Sequence, residues 1–407
     1  MSDQNPTRSQ MLISVADAIH CVSSAPVFAE AECIDSERAA DRVLAEDIFA
    51  RQSKPAHRQA AMDGFAIRRE DWSCAETRFN IIGEMQTGYF EQFSPRAFES
   101  VRIFTGAIVP DGFDHIVPQE QAERHGDQLL ISQFNPQKSN IRQPGGDFLA
   151  GETLLRRGVK LTPFDLSLCV AAGYPDLLVR RRPRIAILSI GDELQPAGKP
   201  LSAGQIHASN AVTVGAFIEK WGGLAIDLGL FRDKARDVFH AVSQCGQFDA
   251  IIPIGGASVG DYDVTREAFV EAGFETTFEG VAIKPGKPVW FARCGRQLAL
   301  GLPGNPTAAF VCCLLFIKPL LENLLGQSET SERVLAILTE DVPADETRTS
   351  YRLGSMSQTA QGQCIVKPVA KTDSAQISPF STQNVLVEVL PQPGAQLKGL
   401  PVACIRI

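Results

Sequence analysis

Apolar residues recur with two different periods along this chain, and the change of period divides it. From Arg184 to Leu325, short β-branched runs alternate with stretches in which every third or fourth residue is apolar. That alternation predicts a sheet with helices on both faces. The strands expected are Ile185 to Ile190, Leu224 to Leu230, Ala250 to Ile254, Val289 to Ala292 and Leu298 to Leu302. Between them, Val214, Phe217, Ile218 and Trp221 share one helical face, Val238, Phe239, Val242 and Cys245 share another, and a helix is expected near Val264 to Ala272. A long helix closes the region, with Asn305 as cap, Pro306 at its first position and Gly326 as its stop.

Both flanks lose the helical period. Arg51 to Glu120 and Val334 to Ile407 carry short alternating runs separated by turns, such as Val385, Val387 and Val389 before the turn at Pro391 to Gly394. The fold class that follows is a multidomain α/β protein, with a central α/β domain between mainly β flanking domains. A length of 407 residues agrees, since it accommodates two to four compact units at roughly 150 residues each. No internal repeat of fixed period interrupts this picture.

Composition narrows the function classes. With 44% hydrophobic and 21% charged residues the chain reads as an ordinary soluble protein. A net charge of -8 speaks against nucleic acid as a main partner and leaves small anions to local positive sites. None of the 10 cysteines forms a Cys-x-x-Cys pair, which argues against a zinc site or a disulfide framework and suits a reducing, cytoplasmic setting. Met1 to Gln10 is polar and shows no secretory signal pattern, and the most apolar window, Ala308 to Ile317, is too short to cross a bilayer, so no membrane partner is expected. The basic run from Arg180 to Arg184 reads as a solvated linker or, less simply, as a steering patch for an anionic substrate.

In an open α/β sheet the ligand site lies beyond the carboxyl ends of the strands. Ser189-Ile190-Gly191-Asp192-Glu193-Leu194 follows the first strand and offers carboxylates to a hard cation or a water, although such a turn also serves as a plain cap. Gly255-Gly256-Ala257-Ser258-Val259-Gly260-Asp261-Tyr262-Asp263 allows backbone amides to converge on a phosphate, with acids at its end suited to magnesium. Its spacing matches neither the dinucleotide nor the P-loop fingerprint. Lys284-Pro285-Gly286-Lys287-Pro288 sets two cations around a rigid turn, and Leu302-Pro303-Gly304-Asn305-Pro306 brings amides to a helix start. Together these loops predict a site for a phosphorylated small molecule and a divalent metal. In the β-rich region, Ala61-Met62-Asp63-Gly64-Phe65-Ala66 and Phe104 to Pro110 are turns, with Asp63 a candidate ligand to metal or pterin.

The order of these segments resembles the MoeA family of molybdopterin molybdenumtransferases, whose eukaryotic relatives include the C-terminal domain of gephyrin. The resemblance also includes Arg42 to Asp47, Thr105-Gly106-Ala107 through Gln119-Glu120, and Asn140-Ile141-Arg142, and spans nearly the whole chain. It implies insertion of molybdenum from molybdate into adenylylated molybdopterin, with Mg2+-assisted release of AMP. Carried over residue by residue, it makes Asp63, Thr105, Glu193 and Asp263 catalytic candidates. Arg142, Asp147, Asp233, Gly255, Gly256, Ser258, Lys284, Lys287, Pro303, Asn305 and Pro306 become candidates for binding substrate, and Glu193, Asp261 and Asp263 for the metal.

The same resemblance implies an elongated homodimer with the site between subunits. Its expected units are 1–46 with 145–180 as a dimerisation region, 47–144 as a β-rich domain, 181–327 as the molybdopterin-binding domain and 328–407 as a β-barrel-like domain. An adenylylating enzyme and cofactor-accepting molybdoenzymes are its expected partners. Three positions depart from the family pattern: Ile190 for Thr, Ala208 for Asp, and Gly146 for an acid or Ser. Two other readings stay open at this point, a molybdopterin adenylyltransferase and a scaffold that keeps the fold without the chemistry.

Overall fold

The computed structural model describes residues 12–25, 27–73, 77–133, 135–256, 264–327, 333–370 and 373–407. Ser258, Asp261 and Asp263 lie outside the described residues.

A six-stranded sheet forms the centre of the α/β region, in the order 224–231, 184–190, 250–255, 297–301, 290–294, 275–279. The first four strands are parallel, and the last two run antiparallel to their neighbours. Ile185, Ile187, Ile252, Leu298 and Leu300 point to one face, where Asn210–Lys220 and the helix from 306 to 325 cover them. Ala186, Leu188, Ile251 and Ala299 point to the other, against Ala235–Ser243 and Val264–Glu271. Alternate residues of each strand thus feed separate cores, so the strands read as unbroken apolar runs. Five expected strands and four expected helices are present; the edge strand Glu275–Glu279 carries too few apolar residues to stand out in the sequence.

The helix from 306 to 325 is long and apolar enough to cross a membrane, yet 83% of that stretch is buried inside the molecule. Its middle, Cys313–Ile317, widens into a π turn just before Pro319. Proline cannot donate to the carbonyl four residues back, and the wider turn accommodates its ring. Gly326 ends the helix at φ +62°.

The N-terminal helix Val15–Ser23 also packs into this core, through Val15, Ala18 and Val22. The described residues of 12–46 therefore contribute to two regions. Their later part, Ala31–Asp35, pairs with Asp176–Arg180, while Ile48–Phe49 pairs with Thr153–Leu155. The β-rich region forms a second six-stranded sheet from 64–67 to 128–131, with apolar clusters on both faces. In the C-terminal region five strands close into a ring, because 349–358 pairs with both 364–368 and 385–389. Ile283–Lys284 adds to this ring alongside Thr349 and Ser350, tying it to the α/β domain.

The arginines of the basic run are held by neighbouring groups. Arg181 makes a bidentate pair with Asp249 at 2.8 Å, Arg180 donates to the Ala29 carbonyl, and Arg182 pairs with Glu219. These contacts sit at the amino ends of the parallel strands, away from the ligand edge. The steering reading is thereby corrected: the arginines fasten the N-terminal region to the α/β domain.

Candidate functional site

The carboxyl ends of the parallel strands converge as the sequence predicts. Gly191 donates to the Phe231 carbonyl at 3.1 Å and Gly255 to the Leu302 carbonyl at 3.0 Å, drawing four strand ends into one edge. Gly255 has φ +95°, and a Cβ there would lie 2.2 Å from the Ile190 carbonyl oxygen. Only glycine fits this approach. At Gly256, with φ +66°, a Cβ would meet Thr265 Oγ1 at 2.0 Å and Asp233 Oδ1 at 3.2 Å, which places the Asp233 carboxylate against the backbone of the glycine loop. The Glu193 carboxylate folds back over Gly191, 2.6 Å from where a Cβ would stand.

These acids feel one another. Desolvation raises the Asp233 carboxyl above its ordinary range, and the charges of Asp192 and Glu193 add to the rise. A small cavity of about 50 Å³ beside them is lined by Glu193, Ile190, Ala208, Asn210, Gly304 and Pro306 among others. The Asn210 amide nitrogen donates to the Gly304 carbonyl at 2.8 Å, while its buried Oδ1 has no hydrogen-bond partner among the described residues. A buried acceptor in this state favours a ligand that completes its bonding. Ile190 and Ala208 make this wall apolar where the family pattern expects a hydroxyl and a carboxylate.

The helix start at 302–306 differs in one respect from its sequence reading. Asn305 occupies the cap position without a side-chain capping bond, and the Thr307 amide donates to the Ser374 carbonyl of the C-terminal region at 3.1 Å. That amide is already spent on docking two domains. Pro303 is buried behind the loop, and Asn305 stays exposed.

The Asp63 corner is a separate arrangement. Asp63 Oδ1 accepts from both the Thr105 hydroxyl and the Thr105 amide, each at 2.7 Å, across 42 residues of sequence. The hydroxyl first, then the amide, hold this carboxyl below its ordinary range, with Arg102 helping. Arg102 itself donates to the Gly64 carbonyl and to Gln119, between the rings of Phe65 and Phe104. Sequence reading missed Arg102, which sits in an ordinary alternating strand. Arg142 stands opposite Gln59 on a two-stranded ribbon leading to this corner and has no ion pair among the described residues. Farther along the same ribbon, Asp147 pairs with Lys54 at 3.2 Å.

Lys284 and Lys287 are exposed, and Lys284 Nζ lies 3.5 Å from Asp345, whose carboxyl is held low by the Thr347 amide and by Arg348. Among the described residues no hydrogen bond or ion pair joins the acidic edge, the Asp63 corner and the lysine turn. Nor do three His, Cys, Asp or Glu side chains gather closely enough to form a metal cage there.

Residues 13–173 match the MoeA N-terminal region (domains I and II), 186–323 a probable molybdopterin binding domain, and 336–398 the MoeA C-terminal region (domain IV). A molybdopterin molybdenumtransferase of Haemophilus influenzae is 33% identical over 366 residues, covering 89% of this chain and 90% of that protein. The chain belongs to the MoeA family. The namesake enzyme of Bacillus subtilis is 32% identical, over 93% of this chain and 90% of its own length. In structure, the MoeA protein of Pyrococcus horikoshii superposes with a TM-score of 0.83 at 26% identity, over 97% of this chain and 98% of that one. This MoeA fold accounts for the three sheets and for the glycine-rich edge of the central one.

Proposed function

We propose that this MoeA protein is a molybdopterin molybdenumtransferase that places molybdenum from molybdate into adenylylated molybdopterin, with Mg2+-dependent release of AMP. The observation that carries the proposal is the likeness to named transferases along nearly the full chain. The chemistry of the acidic edge supports it. Asp192, Glu193 and Asp233 are hard oxygen donors that repel one another, and Asn210 Oδ1 is an orphaned oxygen nearby. Magnesium needs only one or two protein carboxylates and fills its shell with water and phosphate oxygens, so this open set fits it better than a closed cage would.

When bound, Mg2+ would neutralise charge on the phosphoanhydride. Glu193 and Asp233, with Asp261 and Asp263 beyond them in sequence, would hold it. The amides of Gly255 and Gly256 would orient the phosphates, and Lys284 and Lys287 would offset the charge of phosphate and molybdate. Water then adds to the P–O–P bond, releasing AMP and leaving the terminal phosphate on the pterin. Asp63, ionised through its Thr105 bonds, would accept a hydrogen bond from the pterin or the attacking water, with Arg142 and Asp147 nearby on the ribbon.

Membership of the MoeA family supports a homodimer in which the β-rich edge of one subunit faces the α/β edge of the other. A cytoplasmic setting suits this chemistry. The test combines purified protein with adenylylated molybdopterin, Mg2+ and molybdate. AMP release, with cofactor able to activate a molybdoenzyme apoprotein, is expected; folded protein that releases no AMP would favour the scaffold reading, whose only support is the three departures at Ile190, Ala208 and Gly146.

A further inference from the structure

At the far end of the helix Asn210–Lys220, roughly 16 Å from the acidic edge at 1.5 Å per residue, lies a cavity of about 640 Å³. Its volume is that of a pocket for a whole small molecule. The N-terminal helix, the π turn and the last strand of the chain all contribute walls, so it exists only where three regions meet. Five cationic side chains line it, Lys160, Lys220, Lys318, Arg333 and Arg406, against one carboxylate side chain, Glu322. This is a local reversal of sign in a chain of net charge -8.

The cations are not equally committed. Lys160 pairs with Asp41 at 3.3 Å and Arg333 with Glu388 at 3.1 Å, both acids outside the lining, and Lys318 lies 3.8 Å from Glu322. Lys220 and Arg406 have no ion pair among the described residues; the Lys220 amine rests 5.5 Å from the Phe217 ring centre. The floor is apolar and partly aromatic: Phe217 stacks on Trp221 with ring centres 4.9 Å apart, beside Leu314 and Leu315 of the π turn. Flat apolar surface beneath uncommitted cations selects a particular ligand chemistry.

We propose that this cavity is a second binding site, distinct from the acidic edge, for a small organic anion with a flat aromatic or apolar body. The ring system lies on Trp221 and Leu314, and the acidic group is drawn to Lys220 and Arg406. The probe for the test is 8-anilinonaphthalene-1-sulfonate, which has both parts, with uncharged N-phenyl-1-naphthylamine as its control. Saturable binding at one site per chain is expected, with energy transfer from tryptophan that falls in Trp221→Phe, where Trp72 and Trp290 remain. High salt should weaken it. The double variant Lys220→Glu with Arg406→Glu should lose at least about tenfold in affinity, with an unchanged melting temperature, since both side chains are exposed. Binding that is not saturable, that survives the charge reversal, or that the uncharged probe matches in wild type would overturn the proposal; so would a lack of binding because a second copy covers the pocket. The AMP-release rate of the double variant should equal that of wild type, so failure here is separable from failure of the transferase reading.

Discussion

Asp63 and Asp233 are the same residue type in two regions of one molecule, and their environments push them in opposite directions. Asp63 is fixed by a hydroxyl and an amide that stabilise its charge, whereas Asp233 is partly desolvated beside two other acids that oppose it. The first is a finished hydrogen-bonded unit. The second is a set of mutually repelling carboxylates that backbone geometry holds close together. The difference teaches that the fold fixes both carboxylates in place but, of the two, compensates only the charge of Asp63.

The backbone that forces the acids together gives the largest expected effect. Gly255→Ala would strain a φ of +95° and drive a methyl into the Ile190 carbonyl; a loss of at least about 2 kcal/mol is expected in urea unfolding. An unchanged midpoint would show that the loop relaxes freely and that the edge is not built as described.

Next in size are the acids themselves. Glu193→Gln and Asp63→Asn should each slow AMP release by about a hundredfold. If the two regions act across a dimer, mixing these two inactive variants should restore about a quarter of wild-type turnover, because half of the dimers are mixed and each has one intact site. No recovery after subunit exchange would place both acids within one chain's site.

Smaller, but specific to the comparison, are the effects of pH. Asp233 has a raised carboxyl, so its contribution to stability is present below the unfolded value near 3.9 and is lost as pH rises through its folded value. Without Mg2+, melting temperature should therefore fall over that interval more in wild type than in Asp233→Asn, and Mg2+ should stabilise wild type more at neutral than at acid pH. For Asp63 the sign reverses: its contribution holds above about 3.9 and is lost as pH falls through its lowered value. Carbon NMR titration should show the Asp63 carboxyl rising in Thr105→Ala, and no movement would remove Thr105 as the cause.

The smallest effect on turnover belongs to the arginine anchor. Asp249→Asn should cost stability on the order of 1–3 kcal/mol by leaving Arg181 with a poorer partner, while AMP release stays at the wild-type rate. A drop in substrate affinity instead would revive a steering role for the run.

Much of the central domain is legible in the sequence because its strands are buried on both faces and its helices on one, so each element carries its own apolar signature. The glycines at 255 and 256 are legible for the same local reason, since a glycine pair after a buried strand marks backbone that must approach its neighbours closely. The antiparallel edge strand Glu275–Glu279 and the placement of Val15–Ser23 in the α/β core are not, because both depend on which surface happens to be left uncovered. The Asp63 corner was a plain turn by composition, and only pairing with a threonine 42 residues away gives its carboxylate a fixed charge.

What the sequence determined by itself, then, is the set of elements and the loops at their ends, because periodicity and glycine placement are local properties of the chain. Tertiary structure alone decided that the arginine run binds carboxylates and backbone, that Thr307 spends its amide on Ser374, and that five cations from distant segments surround one cavity. Charge and hydrogen bonding act through space, over a few ångströms, and the sequence does not state which groups come that close.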